Sequence, residues 1–258
     1  MNPSSVVQNQ EMRIFVISLP DATERRERVK RIFSETNYQF TFFDAINGRE
    51  GLPERLERRV NDTYRKVFRS RPLSPGEKGC FASHLLLWEK CLELDEPIVL
   101  LEDDFLPTES FENAFSQLPL LIKDIEYLRL EKRTSKWFPI NSVGGFERRF
   151  LFDNSCGTTG YVLTPQGAQK LLQHSEEWLC AVDNYISESF RHGMYSFNIS
   201  PPAIEAPHDM GSLIQCEEKT RVPLYFKLTR ELNRFYRFVR MTVSNRQFIN
   251  KLQNKVSD

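Results

Sequence analysis

The stretch EPIVLLEDDFLPTESF, residues 96–111, decides the fold class because a short apolar run ends in three consecutive acids. Residues 98–101 have the continuous apolar character of a strand that is buried on both faces, as in a parallel sheet. Glu102, Asp103 and Asp104 follow directly, and three like charges at one strand end repel one another unless they are solvated or neutralised. The stretch therefore indicates either a solvated turn before Pro107 or a divalent-cation site that carries an anionic ligand.

Apolar runs alternate with helical patterns on both sides of this stretch. Further strands are predicted at residues 14–19, 38–45, 125–130, 158–164 and 194–200. Asp21 and Glu24 offer a capping box for a first helix, and Ser74 and Glu77, with Pro75 between them, offer a second. This alternation predicts an α/β sandwich with a mainly parallel sheet, whose ligands gather at the carboxyl ends of strands. That location favours the cation site over the turn.

Composition bounds the remaining possibilities. The 258 residues are 40% hydrophobic and include 20 Phe, enough for one large domain with an appendage. The five cysteines are scattered without CxxC spacing, which is typical of reduced thiols in a cytoplasmic protein. Residues 1–12 show no signal-peptide pattern and are expected to be flexible, and no apolar run reaches the roughly 20 residues that span a bilayer.

Five segments occur in an order that resembles glycosyltransferase family 25, the lipooligosaccharide galactosyltransferases and their collagen-modifying relatives. They are FVISLPDATERRERV (15–29), FFDAINGREGL (42–52), LSPGEKGCFASHLLLWEKCL (73–92), PIVLLEDDFLP (97–107) and GTTGYVLTPQGAQKLL (157–172). The resemblance covers roughly Arg13 to Ser212. It implies a GT-A (Rossmann-like) catalytic domain, placed at residues 13–215, and an inverting transfer of a sugar from a nucleotide donor, most often UDP-galactose.

In enzymes with this fold an Asp-x-Asp motif binds Mn²⁺ or Mg²⁺, which neutralises the diphosphate of the UDP-sugar. Here the same spacing is Glu102-Asp103-Asp104, with Glu in place of the first Asp. The resemblance assigns Asp104 to the metal, with Glu102 or Asp103 facing the ribose or a metal-bound water; which acid contacts the ion stays open. His208, in an irregular segment after a strand, is the candidate for a further ligand.

An inverting transfer also needs a base that deprotonates the acceptor hydroxyl. Asp183, between apolar residues at a predicted helix start, is the candidate, and Glu188 and Asp153 are reserves. The structural alternative for Asp183 is a helix N-cap, a position that Asp favours.

Other positions are expected to contact donor or acceptor. The predicted donor contacts come from Arg25, Arg26, Asp44, Glu77, Ser83, His84, Glu102 and Asp103. The predicted acceptor or sugar contacts come from Thr158, Thr159 and Tyr161, with Trp178 as a second stacking ring. The alternatives are a solvated helix face for the arginines, a cap for Glu77, a core histidine for His84, and core packing for both rings.

The C-terminal extension, residues 216–258, is strongly basic, with ten Lys/Arg and only Glu231 as an acid between residues 219 and 255. Its helical pattern places an apolar stripe beside a basic one. The apolar stripe is Leu228, Leu232, Phe235 and Val239, and the basic stripe is Arg230, Arg234, Arg237 and Arg240. Such a helix suits an anionic membrane surface, where a lipid-linked acceptor would be presented. The alternative is a helix docked on the domain; nucleic-acid binding is not expected, because the rest of the chain is acidic.

The resulting interpretation is a cytoplasmic, peripheral-membrane glycosyltransferase that extends a lipooligosaccharide or similar glycan. A catalytically silent nucleotide-sugar- or glycan-binding module with an interaction tail is the alternative. A metal-dependent phosphatase is disfavoured, because Phe105 and Leu106 follow Asp104 where the phosphatase nucleophile motif needs another pattern.

Overall fold

A computed structural model of the protein describes residues 12–132, 136–207 and 223–257. Its strands are β1 (Arg13–Ser18), β2 (Phe40–Asp44), β3 (Ile98–Glu102), β4 (Leu106–Pro107), β5 (Tyr127–Arg129), β6 (Trp137–Val143), β7 (Phe146–Leu151), β8 (Gly160–Leu163), β9 (Phe197–Ser200) and β10 (Ile204–Glu205). Its helices are α1 (Thr23–Ser34), α2 (Glu54–Glu57), α3 (Asp62–Arg69), α4 (Pro75–Leu94), α5 (Phe111–Leu121), α6 (Pro165–Gln173), α7 (Val182–Ser187), α8 (Ser189–His192) and α9 (Leu224–Ser257).

The central sheet has eight strands in the order β2-β1-β3-β8-β5-β9-β7-β6. The pairings run β1, β2, β3, β5, β9 and β6 in one direction and only β8 and β7 in the other. A short antiparallel pair, β4 with β10, forms a second sheet. The mixed α/β architecture with a mostly parallel sheet confirms the coarse prediction and is compatible with a Rossmann-like fold.

Both faces of the sheet are covered, as the apolar strands predict. Along β1, Phe15 and Ile17 enter one core with the apolar residues of α4 and α6, while Ile14 and Val16 enter another with those of α1 and α5. Successive side chains of a strand point to opposite faces, so a strand that is apolar throughout requires helices on both sides.

The two predicted capping boxes have different outcomes. Ser74 Oγ accepts a hydrogen bond from the Glu77 backbone N–H at 3.1 Å, and the Glu77 carboxylate accepts from the Ser74 N–H at 2.8 Å, which confirms the box at α4. The box predicted from Asp21 and Glu24 is wrong: α1 begins at Thr23 after Ala22, without a side-chain cap.

Two features of the sheet differ from the sequence prediction. The β6–β7 hairpin, residues 137–151, was not predicted, because the exposed positions of β6 include Trp137 and Pro139 and so hide its alternation in the sequence. The predicted strand at 158–164 is β8, and it runs antiparallel to β3. The direction of β8 matters because it brings residues 158 and 159, which precede the strand, to the carboxyl end of β3.

The long helix α9 packs against α3 and α8. Residues 208–222 lie outside the described part of the chain, so the predicted boundary at residue 215 remains a prediction. In the described residues, no helix combines the length and apolar character that a membrane span requires.

Candidate active site

Polar side chains from several elements lie at the edge of the sheet where the parallel strands end. In the register of the sheet Ser18 of β1 lies beside Asp44 of β2, and Ile17 beside Glu102 of β3. Thr158 reaches the same edge from the loop before β8, and its hydroxyl donates a hydrogen bond to Glu102 Oε1. The sheet topology therefore assembles the acidic edge that the sequence predicts.

Asp103 is held within the protein. Its carboxylate accepts a hydrogen bond from Ser18 Oγ at 2.7 Å and one from the Arg25 guanidinium at 2.9 Å. Arg28 donates to its backbone carbonyl at 2.7 Å. Both carboxylate oxygens of Asp103 thus have partners, and the residue fixes the chain at the end of β3.

Asp104 is different, because its buried Oδ1 atom has no hydrogen-bond partner among the described residues. Burial, followed by the charges of Glu102 and Asp103, raises the pKa of Asp104 from 3.8 to about 6, although Arg25 and Arg28 oppose the shift. An oxygen withdrawn from water without a partner costs free energy, and a bound cation would remove that cost. Asp104 therefore has the surroundings of an incomplete ion site.

A buried chain of hydrogen bonds ends at Glu102. Trp88 Nε1 donates to Tyr161 Oη at 2.9 Å, Tyr161 Oη lies 2.8 Å from His84 Nδ1, and His84 Nε2 lies 3.3 Å from Glu102 Oε1. Because Trp88 is only a donor, the Tyr161 oxygen accepts from it, and the Tyr161 O–H can then donate to Nδ1 while the Nε2–H of His84 points to Glu102. Burial alone would raise the pKa of Glu102, but His84, Thr158 and Arg129 outweigh it and hold this pKa below its ordinary value.

Two aromatic predictions are wrong. Tyr161 is fully buried, with its ring stacked between Tyr127 and His84, and Trp178 is fully buried against Phe81 at 4.3 Å between ring centroids. Neither face is open to a pyranose. The core alternative holds for both rings.

The loop that carries Thr158 and Thr159 rests on a buried ion pair between Arg129 and Glu131, which are 2.8 Å apart. Arg129 donates to Asn154 and to the Cys156 carbonyl at 3.0 to 3.1 Å, and Glu131 accepts from the Thr159 N–H at 3.0 Å. Neither Arg129 nor Glu131 is predicted from the sequence. The available signal was a pair of charges in and just after a strand that is otherwise apolar.

Asp183 stands on the other side of this loop, in the first turn of α7. Its Oδ2 accepts from the Cys156 N–H at 3.1 Å, and its Oδ1 accepts from the backbone and side-chain amides of Asn184 at 2.7 and 2.9 Å. Ala181, not Asp183, is the N-cap residue. Asp183 is half-buried, and the donors in these contacts are all neutral amides. The base role of Asp183 stays a prediction.

The reserve bases differ from Asp183. Glu188 is buried and paired with Arg69, Arg191 and Arg237. Burial would raise the pKa of Glu188, but these arginines outweigh it and lower the pKa. Asp153 is exposed and accepts from Ser187 and from the Ser155 N–H. The three arginine pairs give Glu188 a structural role, and the reserve role of Asp153 stays a prediction.

The remaining predicted donor contacts have structural partners. Arg26 is paired with Asp44 and donates to the Ser18 and Leu19 carbonyls, which ties β1 to β2. Glu77 serves the α4 cap, and Arg71 donates to both of its carboxylate oxygens at 2.6 and 2.8 Å. These contacts favour the cap alternative for Glu77.

Ser83 accepts from the Ile46 N–H at 2.9 Å and so holds the turn after β2 against α4. Two glycines allow this approach. A Cβ on Gly48 would lie 1.8 Å from the Pro75 carbonyl oxygen, and one on Gly79 would lie 2.4 Å from that of Ile46. Ser83 therefore positions the turn beside Asp44, and its contact with the donor remains a prediction.

The described residues include a group of three potential ligand atoms, from Cys80, His84 and Glu102, that lie within 4.8 Å of one another. Burial raises the pKa of the Cys80 thiol well above its ordinary value, and both His84 nitrogens are engaged. Mn²⁺ and Mg²⁺ favour oxygen ligands, so Asp104 fits such an ion better than this group does. The other predicted ligand, His208, lies outside the described residues.

A cavity of about 520 Å³ lies at the opposite end of the sheet, near the starts of β1 and β3. Its lining includes Ile14, Tyr38, Val99 and Phe115. None of the polar groups at the acidic edge lines it, so the candidate site is the open edge, not this cavity.

Comparisons with known proteins agree with the resemblance. A family model described as Glycosyltransferase family 25 (LPS biosynthesis protein) matches residues 11–186. The lipooligosaccharide biosynthesis protein lic2B of Haemophilus influenzae is 32% identical over 203 residues, which cover 72% of this chain and 73% of that protein. Procollagen galactosyltransferase 1-B of Xenopus laevis is 32% identical over 172 residues, which cover 62% of this chain but only 28% of that protein.

Proposed function

Because this chain belongs to glycosyltransferase family 25, we propose that it transfers a sugar from a nucleotide donor to a glycan hydroxyl, with inversion at the anomeric carbon. The proposed donor is UDP-galactose, and the proposed acceptor is a lipooligosaccharide or a similar glycan. The word galactosyltransferase in the name of the Xenopus relative supports the sugar, and the name of lic2B supports the acceptor. A GT-A fold of the catalytic domain is part of the same proposal.

The observation that carries the proposal is the unpartnered Oδ1 of Asp104 at the carboxyl end of β3. A nucleotide-sugar brings two phosphate charges to a strand edge that is already acidic, so donor binding there needs a cation. Asp104 is the proposed holder of Mn²⁺ or Mg²⁺, with Glu102 beside it. When bound, such an ion supplies the positive charge that stabilises the departing UDP.

The chain's own residues would then orient the reactants. His84 and Thr158 both contact Oε1 of the Glu102 carboxylate, while Ser18 and Arg25 donate to the two oxygens of Asp103. These contacts hold the strand end rigid before the donor arrives, which favours a preorganised site.

Asp183 is the proposed general base. The acceptor hydroxyl would give its proton to the Asp183 carboxylate while its oxygen attacks C1 of the sugar from the face opposite the phosphate. The bond between C1 and the phosphate oxygen breaks, and UDP leaves with that electron pair. The amide donors from Cys156 and Asn184 would hold the carboxylate in one orientation during the transfer.

The test measures UDP binding by calorimetry with and without Mn²⁺, and galactose transfer or UDP-galactose hydrolysis by UDP release. Asp104→Asn should weaken Mn²⁺-dependent UDP binding and turnover by about 100-fold or more. Asp183→Asn should keep UDP affinity and lose turnover by about 100- to 10,000-fold. The matched control Asp124→Asn, an exposed acid away from these contacts, should behave as wild type.

Metal-independent binding of UDP by the wild type, or unchanged binding in Asp104→Asn, would overturn the assignment of Asp104. Near-normal turnover in Asp183→Asn would refute the base. Metal-dependent binding without any turnover of the wild type, over a panel of UDP-sugars and glycan acceptors, would favour the silent binding module.

A further inference from the structure

The helix α9 attaches to the domain through a largely polar face. Asn233 donates to the Phe68 carbonyl at 3.1 Å, Asn245 donates to the Phe152 carbonyl at 2.9 Å, and Arg237 pairs with Glu188 at 2.5 Å. Near its end, Phe248 stacks on Tyr195 with 4.0 Å between ring centroids. These contacts extend along four turns or more of the helix and fix which face points away from the domain.

The outward face is apolar. Leu228, Leu232 and Phe235 are 65%, 61% and 67% exposed, and Val239 and Val243 continue the same line. The spacing of four, three, four and four residues keeps these side chains on one stripe of a helix. A helix on a domain surface ordinarily turns such a stripe inward, so α9 has the reverse arrangement, and a contiguous exposed stripe of this kind indicates an interaction surface. We call these five side chains the outer stripe.

The charges around the outer stripe favour an anionic occupant. Five basic residues of α9 are exposed: Lys227, Arg234, Arg240, Arg246 and Lys251. The sequence of α9 contains a single acid, Glu231, and that acid is already paired with Arg230 and Arg234. A second copy of the same helix would bring like charges together on both sides of the contact, which disfavours self-association.

We propose that α9 lies flat on an anionic lipid bilayer. The outer stripe inserts among the acyl chains, and the five exposed basic residues of α9 lie among the headgroups. Apolar insertion and attraction to acidic headgroups together give stable binding at an interface. This surface goes beyond the proposed function and does not depend on it, since the contacts and charges of α9 involve none of the residues at the acidic edge.

Co-sedimentation of the full chain with vesicles tests the proposal. The vesicles are phosphatidylcholine alone, or phosphatidylcholine mixed with phosphatidylglycerol. The wild type should bind the mixed vesicles at least about tenfold more tightly than the neutral ones, and high salt should weaken this binding. The stripe variant Leu232→Gln with Phe235→Gln should lose at least about tenfold in affinity, since it exchanges two inserting side chains for polar ones.

The charge variant Arg240→Gln with Arg246→Gln should lose about tenfold on mixed vesicles only. The matched controls are Leu120→Gln, an exposed apolar residue of α5, and Arg49→Gln, an exposed arginine outside α9, and both should bind as wild type. Circular dichroism melts check that each variant keeps its fold. The stripe side chains face away from the docking contacts, whereas the Arg240 guanidinium lies 5.3 Å from the ring centroid of Phe190 on α8, so the melt of the charge variant is the one to compare most closely with wild type.

Three results would overturn the proposal. One is equal binding to neutral and anionic vesicles, and another is binding that the stripe variant retains. The third is an absence of vesicle binding. In that case light scattering tests for a dimer, and a dimer that the stripe variant converts to a monomer would show that a second copy of the chain covers the outer stripe.

Discussion

Glu188 and Asp104 are both carboxylates withdrawn from water, but their surroundings differ. Glu188 joins α3, α8 and α9 through Arg69, Arg191 and Arg237, and its pKa is lowered. Asp104 lies beside two other acids, has one oxygen that no described residue contacts, and has a raised pKa. Within the described residues the first carboxylate is fully paired, whereas the second is not.

This difference separates a structural carboxylate from a functional one more reliably than residue type does. Asp104 follows an apolar strand and Glu188 lies in a helical pattern, and the sequence offers both carboxylates for chemical roles. Ion pairs that saturate a buried acid indicate assembly of the fold, while an unsaturated acid at the carboxyl end of a strand indicates a ligand site. Asp103, one residue before Asp104, belongs with Glu188 in this respect.

The largest stability effect is expected at Glu188. Glu188→Gln leaves Arg69, Arg191 and Arg237 around a neutral amide, so the free energy of unfolding should fall by about 3–5 kcal/mol. Urea unfolding followed by circular dichroism measures the change. The matched control is Glu54→Gln, whose pair with Arg58 is exposed on both sides and should contribute less than about 1 kcal/mol. If Glu188→Gln lowered the free energy of unfolding no more than Glu54→Gln does, the ion pairs of Glu188 would not stabilise the attachment of α9, and the contrast with Asp104 would fail.

A smaller effect of opposite sign is expected at Asp104. Its pKa is 3.8 in the unfolded chain and about 6 in the folded one, so between these values the folded protein binds more protons. The free energy of unfolding contributed by Asp104 therefore falls as pH rises from about 4 to about 6. Without metal, Asp104→Asn should be more stable than wild type above pH about 6, by about 1–2 kcal/mol.

Thermal melts across pH in the presence of a chelator measure this effect, and Asp124→Asn is the matched control. Adding Mn²⁺ should raise the melting temperature of the wild type and leave that of Asp104→Asn unchanged. Glu188 has the opposite pH dependence. Because folding lowers its pKa, it contributes to the free energy of unfolding above the pKa of the unfolded chain, and this contribution is lost as pH falls through the pKa of the folded protein. Superimposable chelated curves for wild type and Asp104→Asn would remove the distinction between the two carboxylates.

Sequence patterns predicted the parts of the fold that depend on interactions between residues close together in the chain. The apolar runs became β1 and β3, and Ser74, Pro75 and Glu77 marked the start of α4 because the cap bonds span only three residues. The β6–β7 hairpin was not predicted, since its outer strand alternates only between exposed and half-buried positions and has Trp137 and Pro139 on the exposed side. The direction of β8 depends on its pairing with β3, about sixty residues away, which no pattern within β8 records.

At the candidate site, too, features set by neighbouring residues were predicted and features set by distant contacts were not. The acids after β3 were visible in the sequence because carboxylates at a strand end are unusual. Tyr161 was assigned to a sugar because an aromatic residue beside glycines resembles a stacking platform, but α4 covers it and Trp88 binds its hydroxyl. Arg129 and Glu131 were overlooked because their role depends on a loop about 25 residues downstream.

The smallest effect on the free energy of unfolding is expected at Arg25. It compares the ion pair of Asp103 with the ion pairs of Glu188. Arg25→Gln removes the salt bridge to Asp103 at the sheet edge, but Asp103 keeps its hydrogen bond from Ser18, and the Arg25 side chain is partly exposed. The free energy of unfolding should fall by less than about 1 kcal/mol. The matched variant Arg69→Gln, at the buried Glu188, should cost more because water cannot replace the lost partner there. If urea unfolding gave equal losses of unfolding free energy for Arg25→Gln and Arg69→Gln, burial would not explain the difference between the Asp103 and Glu188 ion pairs. The structural role of Asp103 would then be contradicted.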